Sequence, residues 1–535
     1  MSSLKILTLI ILLAAMTFIL APVRAQDSAS QSSVISPYAI IDVSQLPAPG
    51  SQNMKLKVRG RHFPDAALLA AEKQASAKAH GKPKPSPSSS PSPSPSASPT
   101  ATPIPSLLIN AHFDGIGLLG SGGYVPPDTA VAASPDYVFE AVNLEGEIFT
   151  KTGGAVQNFS LYSFFNISTS DNITDPRVLY DAASQRWFAI TSTFGPSSAY
   201  GWNLAVSETS DPRGLWYLYH YPTGGSFPDF PKIGLNSDKV VITGDAFSGN
   251  TYLGAEFVVF NKSEVMANSD ADVTYYPPEL GDFAIEPAQH LGTPVATASP
   301  GPDALYMASV NFPSANTVKV WSVTGVPGVQ PVAVATTSLS IATLNSPPNA
   351  AQGGTSKLVD TNDDALLDAV YRDGSPGSLW VSANDGCTPS GDTATRSCLR
   401  LINISIDPTT GQPIAANPVA QDFDYSAVGQ YFFYPAIRTD DTGNLIVVFN
   451  GSSSSQYISV YGSVQKITDT AAPLESPVLL KSGAKAYTES ARWGDYSGAG
   501  FDPSDGTVWL GGEYPTSCGS IIKSCWGTWI ANVQP

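Results

Sequence analysis

Beyond residue 106 the apolar positions come in short runs of β-branched and aromatic side chains, broken by Gly, Pro, Asp and Asn. That rhythm carries little helical period and predicts an all-β domain. Within it one unit recurs: a Pro or Asp lead-in, a run of small and apolar residues, a polar turn, then a β-branched or aromatic strand. It reads "PPDTAVAASPDYVFEAVN" (126–143), "DPRVLYDAASQRWFAITS" (175–192), "FPKIGLNSDKVVITGD" (230–245) and "GTPVATASPGPDALYMASVN" (292–311). It continues as "DALLDAVYRDGSPGSLWVSA" (364–383), "YPAIRTDDTGNLIVVFNG" (434–451) and "RWGDYSGAGFDPSDGTVWLGGE" (492–513). In the last of these Asp505-Gly506 forms the turn and 507–510 the second strand. Lead-ins roughly 50–70 residues apart leave room for a four-stranded blade and its loops. The repeat therefore predicts a single seven-bladed β-propeller over 107–535, preceded by a disordered Pro/Ser-rich tether. A closed ring protects its sheet edges, which predicts a monomer.

The pattern before residue 107 is different. Lys5 precedes the apolar run "ILTLIILLAAMTFIL" (6–20), which ends at "APVRA" with Ala25 at its close. A charged start, an apolar stretch and a small-residue processing site predict a secretory signal over 1–25; an uncleaved anchor is the alternative. No later run is apolar enough for a second span, so no membrane insertion is expected after cleavage. Residues 26–81 read as a mostly disordered tether. Within them, 64–81 carries the start and stop signals of a short helix, Pro64 and Gly81. "KPKPSPSSSPSPSPSASPTATPIPS" (82–106) cannot form a core and predicts an extended linker.

Charge sharpens this division. Residues 26–106 hold eight Lys/Arg against four Asp/Glu, whereas the chain as a whole is −17, which leaves −23 for residues 107–535. A body so acidic repels phosphate backbones and excludes nucleic acid as a partner. The basic cluster "KLKVRGR" (55–61) reads as a solvated charge run, with contact to an anionic surface as the alternative. Four cysteines in two close pairs, Cys387 with Cys398 and Cys518 with Cys525, predict two local disulfides in an exported chain. Neither pair has zinc-site spacing, and no histidine stands beside them.

Four stretches carry a resemblance: "DPRVLYDAASQRWF" (175–188), "LAVSETSDPRGLWYLY" (204–219), "PDFPKIGLNSDKVVIT" (228–243) and "RWGDYSGAGFDP" (492–503). Together they resemble a group of secreted bacterial β-propeller proteins of mostly unassigned activity, architecturally related to the sialidase/BNR-type propellers. The resemblance covers about 110–535 and implies fold and export. One departure stands out. A sialidase-type Asp box needs S-x-D-x-G-x-T-W, and "SDGTVW" (504–509) is compressed against it.

Residues just before the innermost strands of a propeller converge on the channel mouth. Here that set is Asp128, Asp175, Arg177, Asp229, Lys232, Asp364, Tyr434, Arg492, Trp493 and Asp495. Carboxylates, arginines and aromatics around a concavity suit a ligand site, and the same side chains could instead lock blades together. A glycoside hydrolase would need two of Asp128, Asp175, Asp229 and Asp495 about 5–5.5 Å or about 6.5–9.5 Å apart. A sialidase-like tyrosine and acid could be sought in Tyr514 and Glu513, but neighbouring strand residues point to opposite faces. No H-E-x-x-H, phosphate loop or nucleophile elbow is present. "DTNDDALLD" (360–368) spaces Asp360, Asn362, Asp364 and Asp368 like a calcium loop, with Ala365 where such a loop usually has Gly. No other cofactor is indicated, and this calcium would be structural. The expectation is an exported binding or surface-display module for a glycan or protein ligand, with a glycoside hydrolase as the alternative.

Overall fold

Six of the seven hairpins form where the repeat places them, pairing for example Ala130–Ala133 with Tyr137–Val142 and Tyr431–Thr439 with Leu445–Ser453. The fourth begins upstream: its first strand is Phe283–Pro287, paired with Leu305–Val310. The computed structural model describes residues 24–25, 30–49, 56–78, 106–196, 200–292, 303–468, 474–518 and 522–535. The expected signal sequence lies outside these apart from 24–25, and so does the Pro/Ser linker apart from Ser106.

The strands fan into the sheets of a β-propeller. Among the described residues five separate sheets have four or five strands, and two further stretches are fused into one sheet of eleven. The expectation of seven blades is thereby corrected to five. In the fused sheet the two-residue strand Gln289–His290 lies parallel to both Phe227–Leu235 and Leu366–Arg372, through Leu235↔Gln289 and Gln289↔Val370. Lead-in spacing counts hairpins, whereas a blade's identity depends on where the hydrogen-bond ladder stops. No periodicity marks so short a bridge. Gly234 permits it, because a Cβ there would sit 2.6 Å from the Ala288 carbonyl oxygen.

The first strands of the sheets follow one another around a central channel, two of them belonging to the fused sheet. The ring closes by sequence-distant pairing. Gly498–Phe501, Val508–Cys518 and Ile522–Gln534 take their outermost strand from Leu108–Gly117 at the other end of the domain. Aromatic and aliphatic side chains fill the gaps between neighbouring sheets, with Trp187, Trp202, Trp216, Trp321, Trp493, Trp509 and Trp526 among the largest fully buried residues. Both expected disulfides are present, Cys387–Cys398 and Cys518–Cys525, each beside the loop that joins the two strands of a hairpin.

The expected tether is partly taken up in the fold. Gln31–Ile35 adds to Ala271–Glu279 at the edge of the fused sheet, and Ala39–Asp42 adds to Leu215–Pro222. Open sheet edges present unpaired N–H and C=O groups that accept such strands. The expected helix forms over Ala66–Lys78, with Asp65 accepting from the Leu68 N–H at 2.8 Å. Its Glu72 and Lys73 reach Ser346 and Asp360 of the body.

Candidate functional site

Inner strands enter the channel through β-bulges, which shift register between Thr174 and Arg177, Asp229 and Lys232, Phe283 and Glu286, and Phe433 and Ala436. Each bulge holds a non-glycine residue in left-handed backbone: Asp175 (φ 55°), Phe230 (52°), Ala284 (49°) and Tyr434 (56°). Asp128 (54°) does the same ahead of Ala130–Ala133. Such a residue costs on the order of 1–3 kcal/mol and persists only where its surroundings over-determine it. The gain is direction: a bulge re-aims side chains that strict alternation would send to opposite faces.

The re-aimed residues frame a cavity of about 500 Å³. Its wall is Asp128, Thr174, Asp175, Asp229, Asp245, Arg492 and Asp495 together with Phe194, Phe227, Phe230, Phe247 and Phe283. Polar links tie this wall across sheets. Asp128 accepts from the Asp495 N–H at 2.8 Å and from Asn143 Nδ2 at 2.5 Å, while Asn143 Oδ1 accepts the Asp175 N–H at 3.0 Å. Arg492 donates to Asp495 Oδ2 at 2.7 Å. The blade-locking role weighed for these aspartates is therefore real, and the same residues line the cavity.

The N-terminal segment forms the other side. Lys57–Val58 runs parallel to Tyr124–Val125, and the chain continues over the mouth to His62. Arg61 Nη1 faces Asp495 Oδ1 at 3.2 Å as an ion pair, and its guanidinium lies 4.6 Å from the Phe230 ring centroid. His62 Nδ1 meets Asp229 Oδ2 at 3.0 Å, between the rings of Phe227 and Phe247. Lys55 of the basic cluster lies outside the described residues, but at Arg61 the cluster is not a solvated charge run, since that side chain is only 6% exposed. Opposite net charge on the tether and the body was the signal for this contact.

Burial dominates the electrostatics. It drives the Asp128 carboxyl well above its usual value, and the nearby charges of Asp495 and Asp175 add to the effect. Burial also pushes Asp175 up to about 6, with Asp229 and Asp495 contributing, and Asp245 up to about 7. Asp245 Oδ2 is buried without a hydrogen-bond partner. Burial opposes the charge of Arg61, yet Asp495 and Asp363 outweigh it and hold the guanidinium above its usual value. The hydrogen bond that His62 donates to the Asp229 carboxylate lifts its pKa against the effect of burial.

Of the expected ligand-binding residues, Asp128, Asp175, Asp229, Arg492 and Asp495 meet in this cavity. Arg177 and Lys232 line a second, smaller cavity with Glu286, Asp368 and Arg438. Arg177 packs its guanidinium 3.4 Å from the Tyr496 ring centroid, and Lys232 lies 3.9 Å from Glu286. Tyr434 and Trp493 are fully buried; Trp493 donates to Asn450 and Tyr434 to the Asp360 carbonyl. The cavity also uses Asp245, the phenylalanines and the Lys57–His62 roof, none of them in the expected set.

Three of the four expected calcium residues take separate partners, and the buried Asn362 side-chain amide has none. Asp360 pairs with Lys73 at 2.5 Å, Asp364 accepts the Ser314 N–H at 2.8 Å, and Asp368 pairs with Arg438 at 2.8 Å. Among the described residues no group of three or more His, Cys, Asp or Glu is placed to hold a metal ion. No described helix is long and apolar enough to cross a membrane.

No protein-family model and no curated protein matches the sequence. Solved structures with a similar arrangement include a sialidase of Trypanosoma rangeli at 9% identity and TM-score 0.31, over 72% of this chain and 57% of that one. An exo-β-1,3-galactanase of Clostridium thermocellum is 9% identical at TM-score 0.31, over 80% of this chain and 100% of that one. A Dyadobacter fermentans protein of unknown function is 10% identical at TM-score 0.32, over 68% of this chain and 96% of that one.

Proposed function

We propose that the protein is an exported binding module whose acidic, aromatic channel mouth takes up a glycan or protein ligand. The observation that carries this reading is the state of the mouth's carboxylates. Asp128 accepts from Asn143 and Asp495, Asp229 from the Phe230 N–H while meeting His62, and Asp495 pairs with both Arg492 and Arg61. Asp128 and Asp229 are thus engaged on both oxygens, and a wall held in this way is preorganised, which favours recognition over proton transfer. The two disulfides support an oxidising compartment. Strands added at sheet edges support a monomer.

One observation favours the hydrolase alternative. Asp175 and Asp245 have the raised carboxyl pKa that a general acid needs, and Asp245 keeps one oxygen unpaired within the cavity. The test is a glycan array and a peptide array probed with the full-length chain carrying Arg61→Ala, with and without EDTA. Saturable binding that weakens about tenfold or more on adding Asp495→Asn, at an unchanged melting temperature, is expected. Absence of binding on both arrays would sink the reading. Release of reducing sugar that Asp245→Asn abolishes would replace it with the hydrolase.

A further inference from the structure

Resting on the reading of the mouth as a binding site, we infer that its ligand is a basic polypeptide segment. The chain's own Leu56–Phe63 occupies the site in cis. Each cationic side chain of the segment has a matching place. Lys57 Nζ lies 4.4 Å and Arg59 Cζ 5.1 Å from the Tyr124 ring centroid. Arg61 stands between Phe230 and Phe63 and pairs with Asp495, and His62 pairs with Asp229. Cation–aromatic contacts backed by carboxylates select guanidinium and ammonium groups over neutral sugars.

The backbone is read as well. The Lys57 N–H donates to the Gly123 carbonyl at 2.8 Å and the Arg59 N–H to Val125 at 2.9 Å, which is strand addition of the kind used to bind extended peptides. Two features make the occupant exchangeable. Lys57–Val58 and Tyr124–Val125 form a sheet of two strands, separate from every blade, so releasing the segment breaks no blade ladder. The fit is also incomplete: about 500 Å³ remains open, and Asp245 Oδ2 and Arg61 Nη2 are buried without hydrogen-bond partners. A basic segment with one more donor would satisfy Asp245, so a peptide from another protein can compete with the cis occupant.

The experiment measures fluorescence anisotropy of a labelled peptide with the sequence of residues 56–63 against three full-length chains. These are the wild type, Arg61→Ala/His62→Ala, and the same double variant with Asp495→Asn. The double variant is expected to bind about tenfold or more tightly than the wild type, and the added Asp495→Asn to remove that gain. Equal affinity in all three, or no peptide binding by the folded double variant, overturns the inference. Should the double variant unfold, hydrogen exchange on the wild type decides. Excess unlabelled peptide should speed exchange at the Lys57 and Arg59 amides, and unchanged rates would count against the proposal. Sedimentation of the wild type is expected to show monomers at all concentrations, and concentration-dependent dimers would overturn the cis occupancy. A double variant that binds glycans but no basic peptide refutes the ligand class and leaves the binding module intact. One that binds neither refutes both.

Discussion

Glu140 shows how a single residue couples the ring's closure to pH. It is fully buried between the first blade and the closing sheet, and its Oε2 accepts the Ile116 N–H at 2.8 Å. Gly115 makes room for it, since a Cβ there would lie 2.3 Å from that oxygen. Burial pushes the Glu140 carboxyl from 4.5 up to about 8. The native state then holds a proton that the unfolded chain releases above pH 4.5, so this residue lowers stability as pH rises from 4.5 toward 8. Glu140→Gln keeps an acceptor and removes the titration. Urea unfolding at pH 5 and pH 8 should show a smaller loss of stability in the variant than in the wild type. Equal losses would mean that Glu140 is already ionised in the native protein. The wall aspartates were legible from sequence because they sit at the lead-ins. Asp245, Phe230 and Phe247 were not, because their part in the cavity depends on bulges that no local pattern marks.

At the scale of elements, hairpins were the most legible feature. Turn residues and a two-residue period act over short distances, and Gly506 takes the left-handed backbone (φ 75°) that its turn requires. The disulfides follow the same logic, because each pair lies within one hairpin and local closure brings the cysteines together. A sequence separation of 11 between Cys387 and Cys398 gives a stabilisation of about 2–3 kcal/mol at most. Cys387→Ser/Cys398→Ser should lose stability by that amount in urea without changing the peptide affinity of the mouth, since neither cysteine lines it. A loss of affinity would show that this hairpin's order reaches the channel. The fourth hairpin marks the limit of local reading: its first strand, Phe283–Pro287, lies before the lead-in that the repeat suggested.

For the whole molecule, closure is the controlling event. Leu108–Gly117 completes the sheet of the last hairpin, joining chain regions about four hundred residues apart. Deleting Leu108–Gly117 would strip the partner from Ile522–Gln534 and uncover the Trp526 side of the sheet. Calorimetry should then show loss of the single cooperative transition, and the dye-binding signal of exposed apolar surface should rise. A variant that melts like the wild type would show that packing alone holds the ring shut.

What the sequence determined by itself was whatever short-range physics decides: β-rich composition, hairpins with their turns, one helix, two local disulfides and an acidic body with a basic leader. Only the tertiary structure decided how those parts add up. It joined two wings of sheet through Gln289–His290, laid Gln31–Ile35 and Ala39–Asp42 along open edges, and seated Arg61 over Asp495. These outcomes rest on hydrogen-bond continuity and burial between residues far apart in the chain. Periodicity along a strand carries no information about them.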